Sequence, residues 1–464
     1  MRRYLTWKWL GRAAVALFAF VLTTPLIYHV VVRKLDKREL DAVFAQLDRD
    51  DPGWRLDDIV AATNAKLPPD AQNPAVLGAK AFALLPPDAK ERFAGFPDWP
   101  DAEPNLLRDA AFQAKAARAT RGFEPAVEAA SGLAERSRVG GYVVVMPANP
   151  TEARVGKEYG LAVIGHLLRF DAAWSAEAGQ ADQAVRSARA ALGAARGIGD
   201  HPSLVCQQWR CLAGGDAVRA AESVVNLSEP DAGLAELQAE LLGESEAPKL
   251  LAALRGGRAI FERICAHVEA GAAVGSIPDS TFRLNEAKLA SLLYRTHLRG
   301  DLAFGLDLYT CHIEAAKLSP SRRLAAIAGP PPPHDVRRLL TARFKTDDHL
   351  FELTLKSQGE LAAASAGIAC ERYRRQYGQW PATLADIPKD ILPAIPTDPC
   401  DGLPIKYVRL PGRVVVYSVG PDGVDHGGLV RDLASDKACD YGIRLYDVLH
   451  RRLPAPVAPD EVAP

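Results

Sequence analysis

Residues Ala13 to Val32 form an uncharged, mostly apolar run, about the length that crosses hydrocarbon as a helix. No Ala-x-Ala-like site follows it, and it exceeds the core of an ordinary signal peptide, so it reads as an uncleaved signal anchor. Pro25 is tolerable there, because membrane helices accommodate proline. Beyond the run, Leu40, Val43, Phe44 and Leu47 recur at helical steps, which predicts an amphipathic stalk over 37–47 that Pro52 ends. From 67 to 104, proline pairs and Phe96-Pro97 and Trp99-Pro100 break the pattern into short turns. Helical periodicity then returns over 106–121, 124–138, 157–178, 180–196, 203–226, 231–242 and 248–270, with Gly, Pro or Asp at nearly every junction. The segments 169–178 and 181–195, split by Gly179, have the small-residue spacing of a tetratricopeptide hairpin. An array needs at least three such copies. The other reading, that alanines let neighbouring helices approach closely, stays open.

The pattern changes at Gly329-Pro-Pro-Pro-Pro333. Consecutive prolines favour a stiff extended spacer, so the chain divides there. A short helix over 335–344 and a long one over 350–377 follow. The long helix offers Leu353, Leu361, Ile368 and Tyr373 to a small sheet. Alternation predicts that Ile405, Tyr407 and Arg409 pair with Val414, Val416 and Ser418 across a Pro411-Gly412 turn, with Val415 and Tyr417 on the opposite face. A third strand is expected over 443–446. The fold class is therefore α+β: a tail at 1–12, a transmembrane helix at 13–32, an all-α domain of hairpins at 33–328, a linker at 329–334, an α+β module at 335–450, and a disordered tail at 451–464.

Composition adds little to this picture. The chain is 48% hydrophobic and 24% charged with a formal net charge of -1, and no clustered basic excess of the kind that phosphate binding requires, so a nucleic-acid partner is not expected. Basic residues nearly balance across the apolar run. The short N-terminus is the easier end to retain in the cytoplasm, which places the bulk of the chain outside the inner membrane as a single-pass protein.

Three C-terminal stretches carry a resemblance: Glu371 to Pro381, Thr397 to Pro404, and Val416 to Gly423 leading into a loop with Asp425, Gly427 and Gly428. Together they resemble the C-terminal globular half of the major pseudopilins of type II secretion systems. The Gly-Phe-type junction and glutamate of a pseudopilin are not found at 13–32, so pilin-type processing is not expected. The chain is also similar, through His201 to Arg210, Tyr373 to Trp380, Asp398 to Gly402, Val416 to Gly423 and Asp440 to Asp447, to an uncharacterised family of bacterial membrane-anchored proteins. The pseudopilin resemblance implies a calcium ion in the loop after the hairpin, with Asp422, Asp425 and Asp440 as first candidates and Asp432 and Asp436 further along. The alternative is that these aspartates close turns. Cys400 and Cys439 stand where the family pattern has other residues and flank one sheet, so a disulfide between them is a candidate. The other cysteines, Cys206, Cys211, Cys265, Cys311 and Cys370, read as buried small hydrophobes.

No His-Glu-x-x-His, Gly-x-Ser-x-Gly, phosphate loop or dinucleotide fingerprint occurs. The carboxylates from Glu152 to Glu158 and at Asp347-Asp348 read as solvated surface. Three functions are open, and the first is favoured over the other two. The first is a non-enzymatic anchored scaffold that presents the pseudopilin-like module to protein partners of a secretion or pilus-like assembly. The second is a helical module that binds peptides or other substrates, and the third is an envelope hydrolase with dispersed residues.

Overall fold

The computed structural model describes residues 7–94, 103–271, 292–328, 341, 348–430 and 439–454. The 329–334 spacer, the helix expected over 335–344 apart from Thr341, Asp432, Asp436 and the chain beyond Pro454 lie outside the described residues.

The apolar run and the stalk form one helix, α1, Trp7–Asp50. It is long and apolar enough to cross a membrane by length and composition. Its large apolar side chains from Val15 to Ile27 are 57–69% exposed, so no other described element covers them. Its second half is different. Leu40, Val43 and Leu47 are buried with Phe261 and Ile264 of α11 (Lys249–Glu269) and Leu298, Leu302 and Leu306 of α12 (Leu292–Lys317). Polar contacts begin about three turns earlier, where the Tyr28 hydroxyl lies 3.1 Å from Nε2 of His297 and Nδ1 of His29 lies 2.6 Å from Oγ1 of Thr296.

Short helices α2 (Leu56–Asn64), α3 (Pro74–Ala83) and α4 (Ala89–Ala94) occupy the proline-broken stretch. The helix expected over 106–121 contracts to α5, Ala110–Ala119, and that over 124–138 ends early as α6, Glu124–Ser131, and a single 3-10 turn, Gly132–Glu135. Glycines and β-branched valines then favour extended chain over helix. The central helices α7 (Gly156–Glu177), α8 (Ala181–Ile198) and α9 (Leu204–Leu227) lie where periodicity put them. Ala172 and Ala176, Ala184, Ala188 and Ala191, and Ala217, Ala220 and Ala221 are fully buried between them, so alanine sets their close approach. Helix α10 (Leu234–Ser245) follows, and a short α13 (Pro320–Ile327) succeeds α12.

The C-terminal part places a 30-residue helix, α14 (Asp348–Tyr377), across an antiparallel sheet in the order β1 (Lys406–Leu410), β2 (Arg413–Ser418), β3 (Tyr441–Tyr446). The register is the expected one, with Tyr407 opposite Val416 and Arg409 opposite Val414, and Gly412 takes φ +75° in the turn. Val414, Val416, Ile443 and Leu445 face Leu361 and Ile368 of α14 in one core.

That core continues past α14 into the helical body. Val224 and Val225 of α9 and Leu237 and Leu241 of α10 belong to the same buried cluster. Hydrogen bonds reinforce it: Ser365 Oγ donates to the Gln238 carbonyl (2.9 Å), Arg372 to Gln238 Oε1 (2.8 Å), and Gln238 in turn to the Ile391 carbonyl (2.8 Å). Asn226 pairs its amide with the outer edge of β3, donating to the Arg444 carbonyl and accepting from the Tyr446 N–H, both at 2.8 Å. The C-terminal module is thus packed into the body along a whole helix, where the prolines alone suggest a separate unit. The start of the expected disordered tail is also docked. Arg451 is buried on Glu371 at 2.8 Å, and Leu453 accepts from the Leu107 N–H at 2.8 Å. Composition cannot reveal those long-range partners.

Candidate functional site

The loop after the hairpin brings two of its three candidate aspartates close to the sheet, each already engaged. Asp440 is fully buried, and its carboxylate accepts from the N–H groups of His426 (3.1 Å) and Gly428 (2.7 Å). Asp425 accepts from the Tyr417 hydroxyl (3.0 Å) and from the Gly427 N–H (2.8 Å). Asp422 accepts from the Val424 N–H at 3.1 Å. Asp422 and Asp425 thus accept from the N–H two residues on, as turn-forming aspartates do, whereas Asp440 accepts from across the loop. Among the described residues no group of three His, Cys, Asp or Glu side chains gathers as a metal site.

Cys400 and Cys439 are both thiols and half-buried. They lie at the same end of the sheet, Cys400 beside Ser418 and Cys439 beside Tyr441, and Ser418 and Tyr441 are register partners. Burial pushes the Cys400 thiol up to about 12. Cys206, Cys211, Cys265 and Cys370 are buried as expected, whereas Cys311 is exposed.

A cleft that no sequence motif marks opens elsewhere, in the helical body. It holds about 220 Å³ and lies between the end of α8, the start of α9, the end of α10 and the extended segment from Val139 to Val144. Gly199 ends α8 at φ +67°, and a Cβ there would stand 2.1 Å from the Gly140 carbonyl oxygen, so only glycine lets the two segments meet. Behind the cleft a ladder of buried charges ties α8, α9 and α10 together. Arg210 grips Glu244 with two hydrogen bonds (2.8 and 3.1 Å) and Asp200 with a third (2.9 Å). Lys249, fully buried, donates to the Glu244 carbonyl at 2.6 Å and lies 3.3 Å from its carboxylate. Arg196 donates to the Glu240 carbonyl at 2.8 Å, and Arg189 to the Glu240 carboxylate at 2.9 Å. Burial alone would push the Glu244 carboxyl up, but Arg210, Lys249 and Arg196 outweigh it and hold the group at about 2.

His201 and Glu158 form the cleft's inner neighbourhood. Glu158, expected at the surface, is only 5% exposed, because α7 turns its first carboxylate toward Tyr142 and His201. Nδ1 of His201 accepts from the Ser203 N–H (3.1 Å), which puts the ring hydrogen on Nε2, 3.9 Å from Glu158. That separation is too long for a hydrogen bond. Burial lowers His201 to about 4 and raises Glu158, so both groups are driven toward their neutral forms and do not make an ion pair. Each is under a tenth exposed, and of the two only His201 lines the cleft.

At the cleft's mouth the balance is different. Lys66 and Arg138 line it, both exposed, and neither has an ion-pair partner among the described residues. With Arg196 and Arg210 committed to the ladder, these two cations give the opening a positive character. A second hollow of about 150 Å³ shares Thr63, Lys66, Asp200 and Pro248 with the first and adds apolar walls from Ile59 and Leu251. In the sequence, His201 and Arg210 stand out only as carriers of a resemblance. The available signal was charge at inward positions, such as Arg196 between Ala195 and Ile198 and Lys249 beside Leu250.

No family model matches the chain, and comparisons with curated proteins and with solved structures return no match.

Proposed function

We propose that this is a membrane-anchored, non-enzymatic binding protein whose helical body carries recognition and whose pseudopilin-like module closes the body's core. In this reading α1 holds the chain in the inner membrane with the bulk on the extracytoplasmic side. The observation that carries it is the position of α14. One face lies on the sheet and another on α9 and α10, so the helix that a pilin-like subunit would offer to an assembly is occupied on both sides. The cleft, by contrast, has a wall whose close packing glycine permits and two uncommitted cations at its mouth. It suits an anionic group.

Deleting the chain from Gly329 onward would not separate body from module, since it would strip the cover from Val224, Leu237 and Leu241. Photo-crosslinking residues placed singly in the full chain avoid this problem. Adducts in intact cells from exposed body positions such as Leu212 and Val143, with none from Leu403 or Val424 on the module, are the expected result. Adducts from the module alone, with secretion-type partners, would return the function to the scaffold reading.

A further inference from the structure

Residues 139–144 run along the cleft outside any helix, and from Tyr142 to Val145 burial alternates as it does in a strand. Tyr142 and Val144 turn inward, while Val139, Val143 and Val145 are 53%, 68% and 78% exposed. The backbone is tethered by two asparagine side chains that act as strand neighbours. Asn73 accepts from the Gly141 N–H (3.3 Å) and donates to its carbonyl (2.9 Å), and Asn64 accepts from the Val144 N–H (2.8 Å) and donates to its carbonyl (3.0 Å). The N–H and C=O groups of Tyr142, Val143 and Val145 make no hydrogen bond among the described residues. In a strand, successive residues present N–H and C=O to opposite edges, so Val143 and Val145 share the edge that Asn73 holds at Gly141, and that open β-branched stretch is a template for another strand.

Resting on the reading of the body as the binding part, we infer that this segment takes an extended peptide as an added strand, with a carboxylate of that peptide held by Lys66 and Arg138. Charge decides the class of occupant. The two cations at the mouth have no internal partner, and the carboxylates beside them, Asp200 and Glu244, are committed to Arg210. An acidic group fits there and a basic one does not. The second hollow, between Ile59 and Leu251, continues the groove past Lys66 and gives an apolar side chain of the same peptide a seat. Backbone pairing supplies affinity without a sequence motif in this chain, and the carboxylate sets register.

The test uses the purified full chain in detergent against an array of random octapeptides, each made with a free and with an amidated C-terminus. Strong binders are then titrated by fluorescence polarisation. The expected result is binding that weakens roughly tenfold or more in a Lys66→Glu, Arg138→Glu double variant, as charge reversal at a complementary site demands. Val143→Pro, which blocks strand addition at an exposed position, should weaken it similarly, with melting midpoints of both variants unchanged. Loss on amidation assigns the carboxylate to the peptide terminus, and loss when an internal Asp or Glu becomes an amide assigns it to a side chain. No binder at about 1 mM, binders indifferent to both variants, or a full-chain dimer that Val143→Pro dissolves would each overturn the inference. Body-specific crosslinks that persist beside such a failure would leave the binding reading standing and remove only the strand.

Discussion

Glu244→Gln tests whether the charge ladder behind the cleft holds α8, α9 and α10 together. The substitution keeps shape and removes one charge, leaving Arg210 and the fully buried Lys249 facing a neutral amide. In the folded chain the carboxyl sits at about 2 against an ordinary 4.5. At about 1.4 kcal/mol per pH unit, that fall corresponds to roughly 3 kcal/mol, the scale on which breaking a buried ion pair is costly. A lowered carboxyl stabilises fully above 4.5, and its contribution is lost as pH falls toward 2. The difference between wild type and variant should therefore be about 3 kcal/mol at neutral pH and should close as acid protonates the wild-type group. Urea unfolding of the full chain in detergent, followed by tryptophan fluorescence and far-UV circular dichroism at several pH values, measures it. A difference below about 1 kcal/mol at neutral pH, or one independent of pH, would refute the argument, because loss of packing alone carries no titration.

His201, held near 4 against an ordinary 6.5, should withdraw about 3 kcal/mol of stability as pH falls through that window, and His201→Gln should flatten the slope in the same unfolding series. Gly367→Ala would set a Cβ 2.4 Å from a methyl of Ile443; overpacking of about 1–3 kcal/mol should exceed the helix propensity gained, and calorimetry should show a lower midpoint. Titration of unreduced, denatured protein should count seven thiols, as all are free in the structure, whereas a count of five that a Cys400→Ser, Cys439→Ser variant retains would mean that these two close to a bridge. Millimolar calcium should leave the melting midpoint where chelator leaves it, because Asp422, Asp425 and Asp440 already accept from backbone N–H groups; a rise would establish the calcium site.

The sequence displayed whatever depends on period. Buried alanines made α7 to α9 legible, and alternation with Pro411-Gly412 gave the hairpin its register. What escaped was pairing across distance. Nothing near Glu244 announces Arg210, and nothing near residue 226 announces the β3 edge, although each partnership is buried. The segment after Ser131 failed for a related reason: the sequence offers helix-favouring alanine until Ala134, but Asn64 and Asn73, some 70 to 80 residues upstream, supply the hydrogen bonds that let the chain extend. A local period cannot register a remote donor.

Asparagine does the same work three times, and the difference between the three cases bears on function. Asn226 closes the β3 edge from inside the body, and the opposite edge of the sheet is β1, which carries Lys406 and Arg409 as charged guards against strand addition. The module therefore offers neither of its sheet edges readily, and its long helix is covered on both sides. Asn64 and Asn73 hold only Val144 and Gly141, which leaves the valines between and beyond them with unpaired backbone beside uncommitted cations. Natural sheet proteins protect such an edge when it has no use. Here protection is spent on the module and withheld from the body, and that asymmetry is the physical reason to look for the partner at residues 139–145.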